Sequence, residues 1–246
     1  MNTVPYDFIN SVVHLIPLSS VSQVNLVPDD FWPTVGSAHH SRRTEHSISL
    51  LYGSDFFRSE YFARELSFLD KDWRYCRITR ISLSGNFGIN PRNLSVIKLV
   101  EPFLKQNPYQ VQKLEMNDKF FECLSEELNF FWRLPVRRLE IHLAKESSIV
   151  RKIFTYHLQS NPDLEELMID GGVHEHMKMV IDAWETGQSN VARVTCNYWK
   201  KSQFKRLEKL GYSILNERGN GGSLVLTCPN RARSLQIEAK FVNMFY

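Results

Sequence analysis

A chain of 246 residues, 43% hydrophobic and 23% charged, can build a sizeable core as one large domain or two smaller ones. Its formal net charge of +3 is too small for this length to argue for nucleic acid or an anionic membrane surface as a partner. The four cysteines, Cys76, Cys123, Cys196 and Cys228, are far apart and lack paired metal-ligand spacing, so they read as buried thiols of a reducing compartment, with no metal and no cofactor expected.

The first twenty residues carry no basic region, and Asp7, Asn10 and His14 interrupt their apolar run, so no signal peptide is expected. No stretch reaches the length of a membrane span. The expected setting is intracellular, cytoplasmic or nuclear. Phe8, Ile9, Val12, Val13 and Ile16 fall at helical spacing and form one apolar stripe. Thr3 can cap this helix, Pro5 fits its first turn, Asp7 suits its positive end, and Pro17 stops it. Ser20 and Gln23 have capping-box spacing for a second short helix carrying Val21, Val24 and Leu26, which Pro28 ends. A third piece starting near Asp29 or Asp30 carries Phe31, Trp32, Val35 and Ala38. Residues 1–43 thus read as a helical module, and 44–246 as an α/β domain.

In the second part, "SISLLY" (47–52) alternates like a strand, while residues 53–75 are aromatic and charged without a clean period. Five segments then share the pattern apolar-x-x-apolar-x-apolar: "ITRISL" (78–83), "VQKLEM" (111–116), "VRRLEI" (136–141), "LEELMI" (164–169) and "VARVTC" (191–196). Their starts are 33, 25, 28 and 27 residues apart, and each reads as a strand. A helical stripe follows every one: Val96 to Leu104; Phe120 to Phe131, capped by Asp118; Val150, Ile153, Phe154, His157 and Leu158, stopped by Asn161-Pro162; Val173, Met177, Val180, Ile181 and Trp184, with Gly187 as the left-handed terminator; and Phe204, Leu207 and Leu210. Strand–helix units of this period bury their apolar faces only by stacking. At the C-terminal end, 212–217 and 223–228 flank Gly219-Asn220-Gly221-Gly222, a hairpin signal, and "SLQIEAKF" (234–241) alternates as a further strand. The expected fold is α/β: a short helical module, then an irregular strand–helix solenoid with a β-rich C-terminal cap.

Pro5, Phe8, Ile9, Val12, Val13, Leu15, Pro17 and Leu18, followed loosely by Val21, Val24 and Trp32, resemble the F-box, the helical module that docks a receptor on a Skp-type adaptor. Residues 76–211 resemble the irregular leucine-rich repeats of F-box receptors, although the Asn expected after the third apolar position occurs only as Asn86, against Lys119, Ala144, Gly172 and Trp199. Together the two parts resemble the expanded F-box receptor families of nematodes. The resemblance implies a substrate-recognition subunit of a Skp–cullin–RING ubiquitin ligase that tethers a protein substrate and performs no catalysis itself. The eight residues from Pro5 to Leu18 would then contact the adaptor. Three alternatives stand beside this: a repeat-type binding protein without ligase docking, an N-terminal helix that only caps the domain behind it, and, last, an enzyme whose site is dispersed along the sequence.

Motifs for chemistry are absent. His174-Glu175-His176 and His39-His40 place neighbours on different helix faces, and 174–176 reads as a solvated helix start. No nucleophile elbow, phosphate loop or HExxH occurs, so no enzyme is expected. The strands offer more. With the apolar positions turned inward, the residues between them line the open face of the sheet. The outward rows are Arg80, Lys113, Arg138, Glu166 and Arg193; Ser82, Glu115, Glu140, Met168 and Thr195; and Ser84, Asn117, His142, Asp170 and Asn197. The first row is mostly cationic. Either the second row neutralises it, or the face favours acidic segments of a protein partner.

Overall fold

The computed structural model describes residues 4–52, 75–85, 98, 100–105, 111–117, 129–142, 148–170, 173–199, 213–218, 221–227 and 234–241. Helix α1 (Tyr6–Leu15) starts on Pro5, whose carbonyl accepts from the Phe8 and Ile9 N–H groups at 3.1 and 3.2 Å. Pro17 ends it by holding Ile16 extended at ψ 150°. Pro17 then opens α2 (Leu18–Val21), which tightens into a 3-10 segment over Ser22–Leu26. Ser20 therefore lies inside α2 rather than ahead of it, and the expected capping box does not form. Asp29 Oδ1 accepts from Phe31 N at 2.8 Å and starts α3 (Phe31–Arg42). Gly36 lets α3 lie close on the 3-10 segment, since a Cβ there would stand 2.7 Å from Asn25 Oδ1. Ile9, Val13, Val21, Val24 and Val35 close a small core of their own, edged by Val4, Ile16, Leu18 and Trp32.

Strand β1 (Thr44–Tyr52) follows α3 after the single residue Arg43. It begins a nine-stranded sheet with β2 (Cys76–Gly85), β3 (Lys113–Asn117), β4 (Arg138–His142), β5 (Glu166–Asp170), β6 (Arg193–Trp199), β7 (Ser213–Arg218), β8 (Gly221–Thr227) and β9 (Ser234–Phe241). The strand order is β1-β2-β3-β4-β5-β6-β9-β8-β7. Seven strands, β1 to β6 and β9, run parallel, and the β7–β8 hairpin joins antiparallel through β9. The first six strands never reverse their spatial order. The sheet therefore has no switch point among them of the kind that opens a ligand crevice in doubly wound folds.

Strands β3 to β6 start two residues later than their sequence patterns, because the first apolar residue of each of these motifs turns into the core before the ladder begins, whereas β2 starts two residues before its own, at Cys76. Even so, all three apolar positions of every motif are buried: Ile78, Ile81 and Leu83; Val111, Leu114 and Met116; Val136, Leu139 and Ile141; Leu164, Leu167 and Ile169; Val191, Val194 and Cys196. They form one core with Val100, Phe103 and Leu104 of the helical residues 100–105, with Phe131 and Trp132 of α4 (Asn129–Trp132), and with the stripes of α5 (Ser148–Ser160) and α6 (Val173–Glu185). Val150, Ile153, Phe154, His157 and Leu158 are all buried on α5, as the stripe requires. His176 is buried too and stacks on Phe154 at 4.7 Å, so it is a core ring rather than part of a solvated helix start. The expected stripes at 96–97, 118–128 and 204–210, and the segment 53–74, lie outside the described residues, as do Asn86, Lys119, Ala144 and Gly172.

A second backbone ladder stacks the units just ahead of the strands. The Gln112 carbonyl accepts from Arg137 N and Arg138 N, that of Arg137 from Glu165 N and Glu166 N, and that of Glu165 from Ala192 N and Arg193 N, all at 2.8–3.1 Å. Each unit is thus set in register by the one before it.

Gly187 ends α6 at φ 77°, with Gln188 N donating to the Ala183 carbonyl and Gly187 N to that of Trp184, the Schellman pattern. Gly187→Ala is expected to cost about 1–2 kcal/mol through this left-handed position alone, readable as a lowered denaturant midpoint with unchanged cooperativity.

Candidate functional site

The register sets the outward rows side by side. Arg80, Lys113, Arg138, Glu166 and Arg193 are paired across β2 to β6, as are Ser82, Glu115, Glu140, Met168 and Thr195. Asn117, His142, Asp170 and Asn197 form the third row across β3 to β6. The three cations Arg80, Lys113 and Arg138 therefore stand next to one another, an arrangement that repels unless answered. The carboxylates answer it. Arg80 donates to Glu115. Lys113 Nζ lies 2.6 Å from Glu140 and 3.6 Å from Glu115. Arg138 reaches Glu140 at 2.7 Å and Glu166 at 3.4 Å, and Arg193 reaches Glu166 at 2.9 Å.

Glu140 is the centre of this lattice. It faces the open side of the sheet, yet its side chain is only 6% exposed, roofed by the cations it binds. Burial pushes the Glu115 carboxyl up, but the Arg80 hydrogen bond and the charges of Arg80, Lys113 and His142 outweigh it and hold the group below its ordinary value. Arg80, Lys113, Arg138 and Arg193 each lie against at least one of Glu115, Glu140 and Glu166. Among the described residues, every cation of the first row is thus held by a carboxylate, which favours the neutralised reading of that row.

In the third row His142 Nδ1–H donates to Asp170 Oδ2 at 2.5 Å, and Asn197 donates to the other oxygen of the same carboxylate. This turns His142 Nε2 toward Glu115 and Glu140, at 3.7 and 3.9 Å. Among the described residues, Glu115, Glu140 and His142 bring donor atoms within 4.8 Å of one another. A dication there would meet the Lys113 ammonium already 2.6 Å from Glu140, with Arg138 on the other oxygen. The cluster behaves as part of the ion-pair lattice rather than as a metal centre.

The helical module divides the eight expected docking residues. Ile9 and Val13 are fully buried in the module's own core. They are inner-face residues, packed against Val21, Val24 and Val35 rather than turned to the module's surface. Pro5, Phe8, Leu15 and Pro17 are exposed, and Val12 and Leu18 are partly so. Phe8 is 56% exposed, and Tyr6, Leu26, Val27 and Phe31 also stand in solvent.

Between module and sheet lies a polar junction, which the sequence pattern does not signal. Arg43 Nη1 donates to the Val13 carbonyl at 3.2 Å, and Arg77 Nη1 to that of Ile16 at 3.1 Å, so two buried guanidiniums cover the negative end of α1. Glu45 contacts both, at 3.1 and 3.7 Å. Burial, then the Arg43 charge, lower Arg77 to about 10. His39 Nε2–H donates to Asn10 Oδ1 at 2.9 Å, and its ring makes edge contacts with His14 and Tyr75.

Cys76 and Cys196 are buried thiols, and burial pushes the Cys196 thiol up. Among the described residues no helix is long and apolar enough to cross a membrane. No protein-family model, curated protein or solved structure matches the chain.

Proposed function

We propose that this protein is a substrate-recognition subunit of a Skp–cullin–RING ubiquitin ligase, with the helical module docking the adaptor and the open sheet face receiving a protein substrate. One observation carries the reading: the module closes its own core, meets the sheet through a polar junction, and still leaves large apolar side chains in solvent. A helix serving only as a cap would instead bury those side chains on the sheet core. The mechanism is tethering. Holding the substrate beside the ligase raises its effective concentration, and no side chain of the receptor takes part in the chemistry. The paired charges of the sheet face suit selection among partners more than raw affinity.

A second reading, a repeat-type protein-binding module without ligase docking, draws on the inward placement of Ile9 and Val13, which removes two of the eight expected contacts.

Co-expression with a Skp-type adaptor separates the two. Phe8 and Leu15 would each contribute roughly 1.5–3 kcal/mol if fully buried by the adaptor. Phe8→Asp is therefore expected to abolish copurification while moving stability by no more than about 0.5 kcal/mol, as for an exposed site. A folded wild-type chain that captures no adaptor leaves the second reading.

A further inference from the structure

We propose that the junction between the helical module and the sheet is a proton-operated joint: the buried His39 ring, wedged beside His14, Tyr75 and the buried Arg43, releases the module from the sheet when it takes up a proton. The ring is fully buried, and among the described residues each element packed there contributes a group that faces it or its neighbours. From α1 come Asn10 and His14, with ring centroids of His14 and His39 5.9 Å apart. From α3 and its cap come Arg42, 5.7 Å over the Tyr75 ring, and Arg43. Tyr75 and Arg77 come from the start of β2, and Glu45 from β1.

Arg43 and Arg77 both contact Glu45, which is itself 36% exposed, and the Arg43 charge opposes a further positive charge on the His39 ring. His39 Nε2–H is used on Asn10, and Nδ1 is buried with no hydrogen-bond partner. A second proton would thus place an N–H without an acceptor in a dry site near the Arg43 charge. Burial, followed by His14 and Arg43, lowers His39 to about 4, whereas in an undocked module the ring loses Tyr75, regains water and rises toward its ordinary value of about 6.5. Between these values the open form binds more protons, so opening grows as pH falls. At pH 5 the opening constant rises by at most about 30-fold from this ring alone. The module separates as a unit because its core is separate from that of the sheet. None of this depends on adaptor docking.

The test uses the full chain, with small-angle scattering and far-UV circular dichroism read together from pH 7.5 to 4.5. The radius of gyration is expected to rise on the acid side while the dichroism holds. His39→Gln, which keeps a donor for Asn10 but cannot charge, removes the rise. Glu45→Gln, at a partly exposed position, moves it to higher pH and serves should H39Q fail to fold. A constant radius, a radius that changes only together with the dichroism, or a transition unmoved by H39Q or by E45Q would overturn the joint.

Discussion

Between pH 6.5 and pH 4 the folded chain is expected to lose about 3 kcal/mol of stability through His157 alone. This ring is fully buried in α5, and its neutral form satisfies every partner around it. Nε2–H donates to the Trp132 carbonyl at 2.7 Å, and Nδ1 accepts from Asn161 Nδ2 at 3.2 Å. The same Asn161 amide donates to the Val136 carbonyl, while Asn161 Oδ1 accepts from Asp163 N. A proton on Nδ1 would turn an acceptor into a donor facing another donor. Burial lowers the His157 pKa to about 4, and the Trp132 hydrogen bond offsets only part of that. The unfolded chain therefore binds the extra proton over this window. The contribution is complete above pH 6.5 and disappears as pH falls toward 4. Urea unfolding at pH 7, 6 and 5 reads it as a slope. Carboxylates also contribute to that slope, so the comparison is with His157→Gln, in which it should flatten by close to one proton. Equal slopes in the two proteins would mean that His157 is already charged, or not protected, in the fold.

The second large effect is expected at Glu140. Glu140→Ala removes the most deeply buried carboxylate among the described residues of the sheet face and leaves Lys113 beside Arg80 and Arg138 without its 2.6 Å partner. The expected cost is about 2–3 kcal/mol, below the full range for breaking a buried pair, because Lys113 and Arg138 can turn partly to water. Replacing both partners, Lys113→Met with Glu140→Met, should recover most of it. Two thioether chains would then lie beside Met168, and Arg138 would keep Glu166. A double variant no more stable than the single one would mean that the lattice acts through Arg138 rather than through Lys113.

These two residues also mark where the sequence was readable. The apolar positions of the five motifs were legible because alternation and a preceding apolar residue are local properties, and the core places them where that pattern puts them. The α5 stripe was equally legible, running unbroken to Asn161-Pro162. The ladder start was not, since hydrophobicity does not say where hydrogen bonding begins. Nor was the burial of Glu140: a glutamate is solvated by default, and only Lys113 on the next strand and Arg138 on its own strand close over it. The junction was hidden for a related reason. Arg43 and Arg77 are far apart in the chain, and what they hold is main-chain carbonyl, which leaves no mark in residue type. His176 looked like the solvated start of a helix, although Phe154 takes it as a stacking partner.

Strand β9 follows the β7–β8 hairpin in the chain but lies between that hairpin and β6. Synthesis therefore delivers the outer pair before the strand that attaches it. While the ribosome is still adding residues up to Ser234, the edge of β6 stays unpaired and the hairpin has nowhere to dock. A message cut short at that point would lose one strand of sequence and three strands of sheet, and the exposed β6 edge is the place where a chaperone would be needed.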